Sequence, residues 1–313
     1  PPEPTEAPPE PTDTPEAEPE EEEDTTEAEP PPVPDDAEPY VDHLFTTVEE
    51  YEAASGRTLD SFGESPMLAE MVDAGDLPPV EARLPTDVAV VRPRDEIGTY
   101  GGTMNLLGFY EGAGAYSQHT ENMPQTMLMR DPAQTSFYPN IAKDWEVSED
   151  NQSLTFYLRE GMKWSDGEDF NADDFAFWYE NILTDPDMTP TIEDQWKPGG
   201  EVMGFSKVDD YTVEYTFAVP YYRAVEVFAG ATPFAPEHFL RQYLPEFNDD
   251  AEALAEEEGF ESWEQAAQYH MGVANDTYDR DLKQPVINPY IVKALGADAV
   301  VWERNPYYWR VDT

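Results

Sequence analysis

The chain has 313 residues, with 68 aspartates and glutamates, 17 lysines and arginines, no cysteine, and a formal net charge of −51. This charge repels nucleic-acid phosphates and anionic lipid headgroups, and therefore argues against a nucleic-acid partner. Without cysteine there are no disulfides and no thiolate metal ligands, and the longest apolar runs fall far short of the ~20 residues that span a bilayer.

Residues 1–39 contain 13 of the 31 prolines and 16 of the acidic residues, but no aromatic or basic residue. Such a segment cannot bury enough apolar surface to offset the entropy of ordering, and its charges extend it. The composition predicts a disordered, acidic, proline-rich spacer. The remaining residues 40–313 carry a net charge of −35, which fits either an ordinary solvated surface or adaptation to high salt.

The spacer starts at Pro1, and no signal peptide is visible. We expect that a targeting segment preceded Pro1 and was removed, so that the spacer holds an exported, lipid-anchored domain away from the membrane. A linker between cytoplasmic domains is the alternative interpretation.

Residues 40–96 are predicted to form a helical extension. Thr47 precedes a first turn with two acidic residues, and Gly56 marks the end of that helix. A second helix is predicted to begin at Ser65-Pro66 and to end at Gly75. Its apolar residues share one face, which predicts burial; they are Met67, Leu68, Met71 and Val72.

Residues 103–107 are predicted to form a short buried strand, followed by a glycine-rich loop that carries Phe109, Tyr110 and Tyr116. The glycine spacing does not match a dinucleotide-binding fingerprint, because the third glycine and the following helix are missing.

Residues 153–159 alternate between apolar and polar side chains, which predicts a half-buried strand. A short return strand at 162–164 and a tight turn at Asp166-Gly167 complete the predicted hairpin. Asn171 is a favourable helix N-cap, Phe170 can pack on Phe175, and Pro186 ends the helix. Further strands are predicted at 211–219 and 299–302, and further helices at 236–240, 251–258 and 262–270. This order predicts a mixed α/β fold without regular βαβ repeats.

No catalytic motif is present. The four histidines (His43, His119, His238 and His270) do not have the spacing of a helical zinc site, and no nucleophile elbow or phosphate-binding loop occurs. We therefore predict a protein that is not an enzyme, with no metal site and no cofactor.

Several segments together resemble the family 5 extracellular solute-binding proteins, the oligopeptide-, dipeptide- and nickel-type binding components of ABC importers. The segments that carry the resemblance are AKDWEVSED at 142–150, SLTFYLREGMKWSDG at 153–167, NADDF at 171–175, VDDYTV at 208–213, APEH at 235–238 and ERNPYYW at 303–309. Residues 65–85 and the segment PVINPY at 285–290 are similar to a longer subgroup of the family.

The resemblance implies a periplasmic-binding-protein-like (type II) mixed α/β fold with an extra subdomain. Family members run to roughly 500 residues, so the resemblance also implies that this chain is truncated after the first half. Residues 97–313 would be the N-terminal part of the solute-binding domain. Within it, 97–115 and 233–313 would belong to the first lobe and 116–232 to the extra subdomain.

The implied function is the extracytoplasmic, periplasmic or cell-surface, capture of oligopeptides or similar small solutes in an interlobe cleft. The partners would be a peptide or small-molecule ligand and the membrane permease of an ABC transporter, and the protein would be a monomer. The alternatives are a secreted hydrolase with an acidic cleft and a surface adhesion module. Ligands gather at the carboxyl ends of strands in such folds. The predicted ligand-binding residues are accordingly Phe109, Tyr110, Glu111, Tyr116, His119 and Glu121.

Overall fold

The computed structural model describes residues 44–93, 99–105, 125–130, 135–271, 281–296 and 299–313. The helices are α1 (Val48–Ser55), α2 (Pro66–Ala74), α3 (Val80–Arg83), α4 (Ala172–Phe177), α5 (Ala224–Ala229), α6 (Glu237–Leu240), α7 (Ala251–Glu258) and α8 (Trp263–His270). The strands are β1 (Leu44–Phe45), β2 (Ala89–Val91), β3 (Leu128–Arg130), β4 (Phe137–Pro139), β5 (Ala142–Val147), β6 (Ser153–Leu158), β7 (Gly204–Asp209), β8 (Thr212–Thr216), β9 (Tyr290–Leu295), β10 (Val300–Arg304) and β11 (Arg310–Asp312). The predicted mixed α/β class is confirmed.

An antiparallel sheet with the strand order β5-β6-β8-β7 lies at the centre of the fold. Strand β6 shows the predicted alternation, because Leu154, Phe156 and Leu158 are fully buried while the residues between them are only partly covered. Phe156 lies opposite Val213 of β8 and packs on Phe228 of α5, with ring centroids 5.4 Å apart. The buried face of this sheet forms the larger of two apolar clusters.

Helix α4 begins as the sequence predicts. The side chain of Asn171 accepts from the backbone N–H of Asp173, and the side chain of Asp174 accepts from the backbone N–H of Asn171. Phe170 packs on Phe175 with ring centroids 5.6 Å apart. Beyond α4 the helix continues as a π-helical segment, Trp178–Leu183, which the sequence pattern does not predict.

Helices α6, α7 and α8 surround the second apolar cluster, which includes Leu240, Ala255 and Ala266. Gly259 ends α7 in the left-handed conformation, with φ of +90°, and the side chain of Ser262 caps α8. Helix α7 has its predicted bounds, and α8 begins one residue later than predicted, because Ser262 is its N-cap.

A small sheet joins the two ends of the described chain. Strand β2 pairs with β1 in antiparallel fashion and with β11 in parallel fashion, so that Val90 lies opposite both Phe45 and Val311. The helical extension is therefore attached to the C-terminal strand. Strands β9 and β10 form a two-stranded antiparallel sheet, as do β3 and β4.

Three local predictions are wrong. In α2 only Leu68 is buried, whereas Met67 is 58% exposed and Met71 is 42% exposed, because only one flank of the helix contacts the rest of the described chain. In the strand predicted at 103–107, residues 103–105 are exposed and not in a strand, since they follow two glycines with positive φ, Gly101 and Gly102, and pair with no described strand; residues 106–107 lie outside the described residues. The return strand at 162–164 is reduced to one bridge, between Lys163 and Asp169.

Among the described residues, no helix has the length and apolar character needed to cross a membrane. The predicted spacer, residues 1–39, lies outside the described residues.

Candidate functional site

The six predicted ligand-binding residues lie outside the described residues, within the segment 106–124. These residues are Phe109, Tyr110, Glu111, Tyr116, His119 and Glu121. The described chain approaches them through 99–105 and leaves them at Gln125. The surroundings of Gln125 therefore indicate what supports the predicted ligand loop.

The chain is held firmly where it leaves this loop. The backbone N–H of Gln125 donates to Asn288 Oδ1 (3.3 Å), and the Asn140 side chain donates to the carbonyl of Thr126 (2.7 Å). The backbone N–H of Met127 donates to the carbonyl of Ala231, and Met127 is fully buried. One end of the predicted loop is thus fixed to three separate parts of the fold.

A small cavity of about 20 Å³ lies beside Gln125. Trp164 and Phe234 line it, together with Gln284 and Asn288 from the segment 284–288. Its volume suits a single water molecule, and the amide groups offer that water hydrogen-bond partners. The cavity is too small for an oligopeptide or a sugar.

The family-like motif residues form a structural cluster next to this cavity. Asp174 is 3% exposed and accepts hydrogen bonds from Trp164 Nε1 (3.2 Å) and from the backbone N–H groups of Asn171 and Glu237. Burial raises the pKa of Asp174 to about 7, against the lowering effect of these hydrogen bonds. The Asp174 carboxyl group therefore joins the hairpin, the start of α4 and the start of α6.

His238 and Asp166 form a pair on the outer side of this cluster. His238 Nε2 lies 2.8 Å from Asp166 Oδ2. Burial lowers the pKa of His238, but the hydrogen bond and the charge of Asp166 outweigh it, so the pKa is raised. Both residues belong to the motifs that resemble the family. Asp166 also accepts from the backbone N–H of Glu168, the His238 ring lies beside Trp164, and neither residue lines the small cavity.

A buried histidine cluster, consisting of His270, Glu258, Asp281, Lys283 and Tyr243, is the feature that the sequence pattern did not reveal. His270 Nδ1 lies 2.5 Å from Asp281 Oδ2, and His270 Nε2 lies 2.7 Å from Glu258 Oε2. Because carboxylates only accept, both ring nitrogens must donate, which requires the charged imidazolium. Lys283 Nζ (2.7 Å) and Tyr243 Oη (3.2 Å) both donate to Glu258 Oε1.

Aromatic rings enclose this cation. Tyr243 stacks on the His270 ring with centroids 4.3 Å apart, and Phe239, Phe260 and Tyr269 present edges or faces to it. Burial lowers the pKa of His270, but its hydrogen bonds and charge interactions with Asp281 and Glu258 outweigh burial and raise it. Folding therefore favours the imidazolium form of His270 relative to the unfolded chain.

The segment 281–288 connects the histidine cluster to the support of the predicted loop. Asp281 anchors its start through His270, and Asn288 accepts from Gln125 at its end. Between them, Val286 and Ser165 exchange two hydrogen bonds of 3.0 Å and 2.9 Å. This segment is therefore a strut between helix α8 and the chain that leaves the predicted ligand loop.

Among the residues that the structure describes, no group of three or more histidine, aspartate or glutamate side chains is arranged to hold a metal ion. A larger cleft, of about 230 Å³, lies elsewhere, between the helical extension and the segment 304–312.

Comparison with known sequences identifies the chain's relatives. Residues 136–313, more than half of the chain, match the bacterial extracellular solute-binding proteins, family 5 (middle). The chain is 30% identical to the periplasmic alpha-galactoside-binding protein of Rhizobium meliloti over 266 residues, which are 78% of this chain and 36% of that protein. It is 28% identical to the periplasmic oligopeptide-binding protein OppA of Salmonella typhimurium over 186 residues, which are 55% of this chain and 28% of that protein.

Solved structures of binding proteins of the same kind have a similar fold. An oligopeptide-binding protein OppA superposes with a TM-score of 0.77 at 30% identity, over 86% of this chain and 42% of that one. The periplasmic binding protein MelB of Agrobacterium fabrum, solved in complex with stachyose, superposes with a TM-score of 0.64 at 28% identity, over 91% of this chain and 42% of that one. The chain thus spans about a quarter to two fifths of the length of these relatives, and the predicted periplasmic-binding-protein-like fold is confirmed. The chain belongs to the family 5 bacterial extracellular solute-binding proteins.

Proposed function

We propose that this protein is the extracytoplasmic substrate-binding component of an ABC importer, and that it captures an oligopeptide or a solute of similar size between two lobes. The observation that carries the proposal is the family match over residues 136–313. Two relatives support it. The protein named for binding alpha-galactosides matches 78% of this chain, and the one named for binding oligopeptides matches 55%. Transport itself would be the work of the partner permease, with hinge closure of the lobes around the ligand.

We place part of the ligand surface on the segment 106–124. Aromatic faces offer apolar contact that tolerates varied ligands, as Tyr110 and Tyr116 would, while Glu111 can accept hydrogen bonds from amines or hydroxyls. The strut 281–288 supports this placement, because it fixes the chain at Gln125, directly after the segment. A rigid base favours binding, because less of the binding free energy is then offset by the cost of ordering the loop.

The proposal includes the domain organisation. Residues 97–115 and 233–313 would form the ligand-facing lobe, 116–232 the extra subdomain, and 40–96 a helical extension. Residues 1–39 would be the spacer, and the composition of that segment is what supports a lipid-anchored position outside the cytoplasm.

Ligand class is the first measurement. Calorimetric titration of the complete protein with stachyose and with a mixture of tri- to pentapeptides separates the two classes that the relatives' names suggest. Binding of one class and not the other would assign it. An intact, folded protein that binds neither would contradict the proposal in its present form.

The binding surface is tested by Tyr110→Ala and Tyr116→Ala, titrated with whichever probe binds. Each should weaken binding about tenfold, a loss of about 1.4 kcal/mol, with the melting temperature unchanged. Tyr222→Ala is the matched control, because Tyr222 is 80% exposed. Unchanged affinity with a lower melting temperature in both variants would show that the two tyrosines are core residues.

A further inference from the structure

The cleft of about 230 Å³ between the helical extension and the C-terminal strand has no role in the proposed interlobe site. Its walls come from α2, α3 and the turn before α2 on one side, and from residues 304–312 on the other. Most of the lining is apolar, including Leu59, Phe62 and Leu68. Its volume is smaller than that of a typical pocket for a drug-sized molecule, so it suits a small ligand.

The charges in this cleft differ from those of the rest of the chain. It is lined by three arginines (Arg83, Arg304 and Arg310) against two acidic residues (Glu64 and Asp312). In a chain with a net charge of −51 and only 17 basic residues, this is a local excess of positive charge. Such a site attracts an anion that the surrounding surface repels.

One of these cations is already used. Arg83 is 2% exposed and binds both carboxylate oxygens of Glu64 (2.6 and 2.5 Å), and it also donates to the carbonyls of Pro78 and Pro306. The Glu64 charge is thereby compensated within the fold. The Arg83–Glu64 pair therefore builds the wall of the cleft and offers a ligand no free charge.

Arg304 and Arg310 form no ion pair with any carboxylate in the part of the chain that the structure describes. The Arg304 guanidinium lies 5.4 Å from the centre of the Tyr100 ring, and Tyr100 is itself 46% exposed at the cleft. Arg310 donates to Asn140 Oδ1 and to Met129 Sδ and lies 4.6 Å from the Trp309 ring, so its guanidinium is already engaged outside the cleft. The Arg304 guanidinium thus retains donor capacity in a planar fork that matches a carboxylate.

The start of α2 adds an independent observation. Ser65 is the N-cap of this nine-residue helix and lines the cleft, yet its side chain makes no capping bond. Ser65 is 4% exposed, and its hydroxyl has no hydrogen-bond partner. The first turn of α2 contains no acidic residue, and the one carboxylate at this end, Glu64, accepts from the Ser65 backbone N–H while it is paired with Arg83.

We propose that this cleft is a second binding site, which takes a small organic carboxylate with an apolar body. Arg304 binds the carboxylate, the Ser65 hydroxyl and the start of α2 lie beside it, and the apolar lining covers the rest of the ligand. A phosphate group fits less well, because it needs more donors than this largely apolar cleft offers. The ligand can be a free acid or the C-terminus of a short peptide, which share this chemistry.

The test titrates the complete protein with phenylacetate, with its uncharged analogue phenylacetamide, and with N-acetylphenylalanine as a mimic of a peptide C-terminus. Phenylacetate should bind at least tenfold more tightly than phenylacetamide, and added salt should weaken it. N-acetylphenylalanine binding more tightly than phenylacetate would identify a peptide terminus as the source, and the reverse order a free acid. Equal affinity for the charged and uncharged probes, or binding of neither, would overturn the proposal.

Variants locate the site. Arg304→Gln and Ser65→Ala should each weaken phenylacetate binding, by about tenfold and about threefold, while Arg223→Gln should not, since Arg223 pairs with Glu226 on the surface. Arg304→Gln removes no ion pair, so the melting temperature should stay unchanged. If Tyr110→Ala abolishes phenylacetate binding and Arg304→Gln does not, the probe occupies the interlobe site, which refutes this second site and leaves the proposed function intact.

Discussion

Strand β6 and the attachment of the helical extension are held by different kinds of contact. On β6, the side chains of Leu154, Phe156 and Leu158 are fully buried among other apolar groups. We call the central sheet β5-β6-β8-β7 and the apolar cluster on its buried face the body, and the junction of residues 44–91 with the body and with residues 304–313 the seam. At the seam, buried arginines donate to backbone carbonyls instead. Arg159 alone donates to the carbonyls of Asn140, Thr46 and Asp87, at 2.7 to 2.8 Å.

This difference has an energetic consequence. Apolar contacts lose stability roughly in proportion to the area and volume removed. When an arginine that donates to several carbonyls is replaced, all of these hydrogen bonds are lost at once, and each carbonyl is left buried without a donor. The body should therefore respond gradually to substitution, whereas the seam should respond to a few specific side chains.

The largest effect is expected in the body. Phe156→Ala should lower the free energy of unfolding by about 3–5 kcal/mol, because it leaves a cavity against Phe228 and Tyr215. Urea denaturation of the complete protein measures this, with Tyr222→Ala as the exposed control. A loss below about 1 kcal/mol would mean that the sheet core repacks freely.

At the seam, Arg159→Met should cost about 2–3 kcal/mol, since it keeps apolar bulk against Trp309 but leaves three carbonyls without their donor. Proteolysis should then cut residues 44–91 before the body unfolds. Arg223→Met provides an exposed control. If all regions become sensitive to the protease together, with no early cleavage in residues 44–91, the seam and the body unfold as one unit.

Burial lowers the pKa of Arg159 to about 10, and the nearby charge of Arg310 adds to this effect. Arg159 remains charged at neutral pH even so. The seam should consequently keep its contacts across the physiological pH range, unlike the histidine cluster.

The smallest effect is a pH dependence in the histidine cluster. The folded-state pKa of His270 is raised, so the stabilisation is complete below its unfolded pKa of about 6.5 and is lost as pH rises through the folded pKa. Glu258, Asp281, Lys283 and Tyr243 are the charged or titratable groups that face it. Above pH 7, the free energy of unfolding of the His270→Gln variant should decrease less steeply with rising pH than that of the unsubstituted protein.

Urea denaturation from pH 7 to 9 measures this slope. The range avoids Asp174, whose raised pKa of about 7 makes stability fall with rising pH mainly between its unfolded pKa of about 3.9 and pH 7. His238→Gln is the comparison variant, because His238 also has a raised pKa but is more exposed. An unchanged slope in His270→Gln would show that the cluster does not titrate in this range.

The sequence predicts local features well where one short pattern determines them. The cap at Asn171, the Phe170–Phe175 contact, the alternation along β6 and the end of α7 at Gly259 all depend on residues a few positions apart. The exposed methionines of α2 show the limit of this approach. Periodicity identifies an apolar face, but tertiary packing decides whether anything covers it.

Long-range features were not predictable in this way. His270 meets Asp281 and Glu258 from separate elements, and nothing in the local sequence distinguishes these carboxylates from the other acidic residues. The pairing of β2 with β11 is likewise invisible to local patterns. The ligand residues in 106–124 remain a prediction, and the supporting strut at 281–288 was found only from the structure.

The pairing of β2 with β11 also bears on how the chain folds during synthesis. The contact between Arg83 and Pro306 joins residues 223 positions apart in the sequence. At translation rates of about 5–20 residues per second, the extension waits roughly 10–45 s before its partner strand leaves the ribosome. In that interval β2 cannot yet pair with β11, and the extension that contains α1, α2 and β2 stays unattached. The extension should therefore be the last described region to gain protection from hydrogen exchange and the first to meet a chaperone.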